Sequence, residues 1–346
     1  MNHLEDTTFE RELLLLECQK AETEGRDRVN LANKALAALD RKPDSSYEVY
    51  AAAALACYNA GIDTRLQQHF ANAAEIGRRI VDRFADPVQK AEGLHFVGIS
   101  LPRTEPAEQR KHWEQALALL ETVEMAGYAL HLKAKIANSL AEHLSYGTDL
   151  EKSMARKLFE TSIEIKSRPD VDDEPGLAMS HGGLGRLALF AEKPDYVMAR
   201  HHFTENLRIS EAVGSIIGQT KMNSLLGAVD VAENRLVDAK QRYTAALRLA
   251  SEDVDKIYAL SGLVNVRSKL GQESGAAEAG ALLCELIKDR VTLLDRETRE
   301  KDPGSAIPRS CMPRIAQALS AAAEQTANPW HQWLTSVIRD NHLSSS

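Results

Sequence analysis

GLAMSHGGLGRLALFAEKPDYVMARHHFTENLRIS, residues 176–210, and GQTKMNSLLGAVDVAENRLVDAKQRYTAALRL, residues 218–249, follow one pattern twice. Each reads as two amphipathic helices joined by a short turn. Leu184-Gly185 in the first answers Leu226-Gly227 in the second, Ala199 answers Ala239, and Phe203 answers Tyr243. Small residues at fixed points let two helices approach closely, and the large residue one turn after the alanine fills the space beside them. The stretch predicts a helical hairpin, repeated.

Outward from this stretch the same signature recurs. An aromatic residue stands at the equivalent point of each second helix: Phe70, Trp113, Phe159, Phe203 and Tyr243. Subtracting residue numbers gives spacings of 43, 46, 44 and 40. Met154-Ala155-Arg156 with Phe159 matches Met198-Ala199-Arg200 with Phe203. The pattern resembles tetratricopeptide (TPR) repeats, whose unit is about 34 residues, so each unit here has longer helices or turns. The resemblance implies an all-α, right-handed superhelix of TPR-like hairpins, an α-α solenoid. Residues 1–300 are expected to form the array and 301–346 a C-terminal helical cap.

Punctuation along the chain agrees. Helices are expected at 8–23 and 29–39, at 47–60 stopping at Gly61, and at 88–100 after an Asp86-Pro87 start. Others are expected at 128–146, from an Asp149 cap, at 281–299 and at 308–325, with a break at Lys301-Asp302-Pro303-Gly304. Arg168–Pro175 reads as a solvated acidic loop. The last helix starts at Asn328-Pro329 and sets Trp330, Trp333, Leu334, Val337 and Ile338 on one apolar face. Two readings of that helix stand: a lid over the last repeat, or a homodimer or partner surface through Trp330 and Trp333.

KIYALSGLVNVRSKLGQESGAAEAGALLCELI, residues 256–287, extends the likeness. Through Ala259–Leu263, Gly271-Gln272, Ala276-Ala277 and Leu282-Leu283 it resembles the long-repeat TPR arm of LuxR-type, maltose-regulator-like bacterial activators and related nucleotide-binding regulators. Those proteins carry a P-loop and a DNA-binding helix-turn-helix, and this sequence shows neither, so the resemblance implies a sensor or adaptor arm alone.

Composition bounds the chemistry. The 346 residues are 44% hydrophobic but only 5% aromatic, which suits thin helix–helix layers of Ala and Leu. Lys and Arg total 42 against 50 for Asp and Glu, a formal charge of −8, which argues against a chain-wide nucleic-acid surface. Cys18, Cys57, Cys284 and Cys311 form no CxxC, so buried reduced thiols are expected. Acids precede the short apolar run near the start and no small-residue cleavage site follows, so no signal peptide is expected. With no run long enough to cross a bilayer, the expected compartment is the cytoplasm.

Catalytic signatures are missing. There is no GxxxxGK[ST] and no HExxH. Gly182-Gly183-Leu184-Gly185 lies within a helix and reads as close packing rather than a phosphate cradle. His201 and His202 are adjacent, so they point about 100° apart on a helix, and are expected on the surface with no metal. No enzyme activity and no cofactor are expected.

One constellation stands out. The TPR resemblance implies that first helices line a concave groove, with positions two, five and nine facing it when the small residue is counted as eight. Ala141, Gly185, Gly227 and Gly262 as eights give Lys135, Met179, Lys221 and Lys256 at position two, with Asn138 and Arg186 at five and nine. Lys135, Asn138, Arg186, Lys221 and Lys256 suit an acidic peptide or protein segment. The plainer reading is a solvated row of helix-start lysines. The expected function is a non-catalytic, protein- or peptide-binding adaptor, scaffold or regulatory subunit. The alternatives are a peptide-signal receptor of the quorum-sensing TPR type, or a nucleotide- or small-molecule-sensing or enzymatic module.

Overall fold

A computed structural model describes residues 28–64, 66–124, 126–171, 173–293, 307, 311–323 and 326–343. The helix expected at 8–23, Cys18, the break at 301–304 and the end at 344–346 lie outside them. Among the described residues there are fifteen helices and no strand. Contacts divide the chain into two compact units between Ser180 and His181, inside one helix.

The first unit holds α1 (Arg28–Arg41), α2 (Tyr47–Thr64), α3 (Gln67–Arg83), α4 (Pro87–Ser100), α5 (Pro106–Leu120), α6 (Gly127–Leu144), α7 (Asp149–Lys166) and α8 (Glu174–Leu189) as far as Ser180. Each of α1 to α6 packs on the helix that follows it. The first helices of hairpins also touch one another, α2 with α4 and α4 with α6. Asp86 caps α4 as expected, its carboxylate accepting from the N–H of Val88 and Gln89 at 2.9 and 3.0 Å, with Pro87 at the first helical position. Thr148, not Asp149, caps α7 in a reciprocal box with Glu151.

The second unit continues from His181 through α8 to α9 (Tyr196–Ala212), α10 (Ile216–Ala232), α11 (Leu236–Leu249), α12 (Asp253–Lys269), α13 (Glu273–Thr292), α14 (Met312–Ala321) and α15 (Pro329–Leu343). The helix expected at 281–299 is instead the long α13, which starts at Glu273. Here α10 touches α12. Gly214 turns α9 into α10 with φ of +69°, and Asn234 does the same after α10 with φ of +58°. Both are residue types that enter the left-handed region readily.

The expected aromatic series falls on α3, α5, α7, α9 and α11, the second helix of successive hairpins. Phe159, Phe203 and Tyr243 are all but fully enclosed, Trp113 is buried, and Phe70 is half-buried. The small residue opposite explains why. A methyl group added to Gly98 would stand 2.4 Å from the Trp113 indole, and one at Gly185 2.4 Å from the Phe203 ring. Gly61 meets Phe70, and Gly227 and Gly262 both meet Tyr243. Gly61 therefore does not stop α2, which runs on to Thr64. It is the landing point for a ring.

At the far end α15 packs on α13, and α14 on α12 and α15. Trp330 is 4% exposed and its ring occupies the space beside Gly280, where an added methyl would be 2.5 Å away. Trp333 is partly buried on the same apolar cluster, with the Lys288 ammonium 5.2 Å from its ring centre. Nothing here supports the homodimer surface expected at Trp330 and Trp333, and the chain's own α13 covers the Trp330 indole.

Gly185→Ala is expected to destabilise by about 1–3 kcal/mol through overpacking, and Phe203→Ala by about 3–5 kcal/mol through the void. Adding Phe203→Leu to the Gly185→Ala chain should return part of the loss. Urea unfolding reads all three, and an unchanged midpoint for Gly185→Ala would refute the ring-on-glycine contact. Deletion from Asn328 onward should uncover Gly280 and its neighbours and produce concentration-dependent association in light scattering. A deletion that stays monomeric and equally stable would deny α15 its covering role.

Candidate functional site

Once Gly98 is recognised as the small residue that meets Trp113, α4 gains the same numbering as the later first helices. Its positions two and five are Glu92 and His95. Positions two, five and nine of a helix lie within about 60° of one another, so Glu92 and His95 extend the row that Lys135 and Asn138 begin. Counting from Ala141 onward missed them. The available signal was Gly98 ahead of Trp113.

In the first unit these residues form a connected polar layer. Glu92 of α4 is buried and accepts hydrogen bonds from the hydroxyls of Tyr47 on α2 and Tyr128 on α6. Burial pushes its carboxyl pKa up, while the Tyr128 hydrogen bond and the nearby Lys135 ammonium pull it down. His95 is buried, with Nε2 3.1 Å from the Ser139 hydroxyl. Burial, then the charges of Lys135 and Lys166, lower its pKa to about 3. The Tyr128 and His131 rings stack, with centres 6.1 Å apart. Lys135 is exposed. Asn138 is not: it is buried, and its Oδ1 accepts from the Ser180 hydroxyl at 2.9 Å, tying α6 to α8.

The acidic loop is less solvated than its composition suggests. Arg168, Asp170 and Glu174 are exposed, but Asp173 turns inward. Its carboxylate stands 3.6 Å from the ammonium of Lys166, whose side chain is 2% exposed, and accepts the N–H of Gly176 at 2.9 Å. A buried lysine demands such a partner.

In the second unit the expected cations are only partly uncompensated. Lys221 is exposed on α10, and its charge draws down the pKa of Asp255, which burial raises. Lys256 lies 3.6 Å from Asp253. Arg186 is half-buried on α8. The structure thus places Lys135 and Asn138 in the first unit and Arg186, Lys221 and Lys256 in the second.

The two adjacent histidines differ from expectation. His201 is exposed, but His202 is buried, its Nδ1 3.0 Å from Nδ1 of His181. Helical periodicity turned one of the pair inward. Among the described residues no group of three or more His, Cys, Asp or Glu is placed to hold a metal ion. Cys57, Cys284 and Cys311 are buried. No helix among the described residues is long and apolar enough to cross a membrane.

No family model matches the chain, and no curated protein matches it. Solved structures do. The apo form of RapI shares 13% identity over 92% of this chain and 87% of its own, with a TM-score of 0.59. A Rap protein complexed with competence and sporulation factor shares 11% over 97% and 96%, with a TM-score of 0.56. The apo form of the quorum sensor NprR from B. thuringiensis shares 12% over 98% and 97%, with a TM-score of 0.52. At these identities the likeness shows the fold, an all-α TPR-like helical repeat.

The buried imidazole gives stability a measurable pH dependence. The folded chain leaves His95 neutral down to about pH 3, whereas an unfolded histidine takes a proton near pH 6.5. Stability is therefore complete above about pH 7.5 and falls as the pH drops below 6.5, by up to about 1.4 kcal/mol per pH unit for this one group. His95→Gln keeps a partner for Ser139 and has nothing to protonate. Urea unfolding at pH 7.5 and 5.5 should show a smaller acid loss in His95→Gln than in the wild type. Equal losses would contradict the assignment.

Proposed function

We propose that this chain is a non-catalytic, peptide- or protein-binding regulatory protein, and that its first helices present the binding face. The observation that carries this is the polar pair at positions two and five of two successive first helices, Glu92 with His95 on α4 and Lys135 with Asn138 on α6. Glu92, His95 and Asn138 are inside, hydrogen-bonded to neighbouring helices. They hold the face rigid while Lys135 stays exposed beside the stacked Tyr128 and His131, with Met179, 62% exposed, at position two of α8. A cation, an aromatic stack and a thioether together suit an extended segment that alternates carboxylates with apolar side chains. Lys221, Lys256 and Arg186 are the corresponding set in the second unit.

Two neighbours support the peptide version. One is a Rap protein complexed with competence and sporulation factor, and the other is a quorum sensor. On that basis a peptide-responsive regulator is preferred to a passive scaffold. The resemblance to the arm of maltose-regulator-like activators belongs to the same reading. Residues 301–346 are proposed to cap the array of 1–300.

The probe is a short synthetic peptide alternating Glu with Leu, compared with its Gln counterpart by calorimetry. The acidic peptide is expected to bind in the micromolar range and more weakly as salt rises, since exposed charges are screened. Lys135→Gln should weaken it about tenfold, or about 1.4 kcal/mol, and Lys221→Gln with Lys256→Gln tests the second unit separately. Neutralisation is preferable to charge reversal, because a glutamate at 135 or 221 would face Glu92 or Asp255. Equal binding of the acidic and amide peptides would remove the charge-based reading.

A further inference from the structure

The second unit has a pocket of about 350 Å³ between α9, α10 and α11. It is separate from the face proposed above. On α10, Lys221 belongs to that face, while Asn223 and Asp230, which line the pocket, follow it by two and nine residues. At about 100° per residue both point to roughly the opposite side of the helix.

The pocket is built around one buried carboxylate. Asp230, with its side chain 3% exposed, lies 2.9 Å from Nη2 of Arg200 on α9 and 2.7 Å from Nη2 of Arg235 in the turn before α11. Glu233 meets the same two nitrogens. Both acids therefore use only one nitrogen of each guanidinium. Nε and Nη1 of Arg200 and Arg235 have no protein partner among the described residues. A third arginine, Arg242 of α11, is aimed by Asn223, whose Oδ1 accepts from Nη1 at 3.2 Å while its amide donates to the Gln219 carbonyl at 2.9 Å. The repeat shows that this is an elaborated position. Asn223 and Arg242 stand where His181 and His202 stand in the preceding hairpin, where one imidazole nitrogen meets another.

We propose that this pocket binds a phosphate group. Three guanidinium groups reach it from α9, from the turn and from α11, and a tetrahedral oxyanion offers acceptors in several directions at once, whereas a single fork would suffice for a planar carboxylate. Arg200 and Arg235 are held in place by Asp230 and Glu233 and present their remaining N–H groups. Arg242, bonded to a neutral amide, contributes charge that no acid neutralises at hydrogen-bond distance. With Asp230, Glu233 and, on the exposed rim, Asp238, three carboxylates stand against the three cations at the site, so affinity is expected to be modest and sensitive to salt.

The test is a titration of the full chain with inorganic phosphate at low ionic strength, followed by phosphorus-31 NMR and calorimetry. Saturable millimolar binding is expected. Arg242→Gln should weaken it at least about tenfold. So should Gln241→Glu, which puts a carboxylate on the pocket wall at an exposed residue and guards against a folding defect in the first variant. Lys221→Gln, on the opposite face, should bind phosphate as the wild type does. O-phosphoserine run in parallel separates the sources: tighter binding than phosphate points to a phosphorylated side chain, and equal binding to the free ion. No saturation by either probe, or unchanged phosphate binding in both pocket variants, would overturn the proposal. Because Lys135 and Lys256 take no part, failure here leaves the peptide-binding face untouched, and failure there leaves this pocket untouched.

Discussion

The contact between a backbone without a side chain and an aromatic ring sets the geometry of this chain. Gly98 under Trp113, Gly185 under Phe203, Gly227 and Gly262 about Tyr243, and Gly280 under Trp330 are the same device used again and again. Hydrophobic burial alone would tolerate many rotations of one helix against another. A ring set against a small residue selects one rotation, and the selection is steric, so it is strong and short-ranged. With the rotation of each first helix fixed, positions two, five and nine follow. The polar face is in this sense a consequence of the apolar contact.

This explains which parts could be read from the sequence. Glycine, alanine and aromatic residues at recurring intervals are visible in a string of letters, and Phe159, Phe203 and Tyr243 proved as enclosed as their spacing required. The register of the row was also legible, once a small residue had been identified. What the letters did not carry was the partner of each polar side chain. Asn138 has the right position to face a ligand and is instead spent on Ser180, from the helix after next. Asp173 sits in a run of acids and prolines that looks solvated, and Lys166, seven residues earlier, draws it inward. His202 looked like its neighbour His201 until a helix placed His181 beside it. Each of these depends on what a different helix brings to the same point. Local periodicity describes one helix at a time.

The polar layer of the first unit has a further property. Glu92 and His95 lie three residues apart on α4, both buried, and burial moves their pKa values in opposite directions, the carboxyl upward and the imidazole downward. Both shifts favour the uncharged form. Their effects on folding differ in sign. A raised carboxyl pKa makes stability fall as the pH rises through the window above its unfolded value, and a lowered imidazole pKa makes it fall as the pH drops below 6.5. The two losses meet in the mildly acidic range. Lys135, exposed and charged, lies close enough to oppose the burial penalty on the carboxylate and to deepen that on the imidazole. Neutralising a ligand's carboxylate on Lys135 would therefore be felt by groups that the ligand never touches.

The repeat also shows how one scaffold position can be put to different uses. His181 with His202, and Asn223 with Arg242, join the first and second helices of adjacent hairpins at the same place. The backbone requirement is identical: two side chains long enough to meet across the helix pair. In the earlier hairpin the two imidazoles meet ring nitrogen to ring nitrogen. In the later one an amide replaces one imidazole and a guanidinium the other. A guanidinium has five N–H donors, more than a single amide oxygen can accept, so the position is left with donors to spare beside a cavity that Asp230 keeps supplied with two more arginines. An open contact of this kind, maintained around a buried carboxylate that must itself be compensated, is stable on its own terms and becomes more so when an anion occupies it.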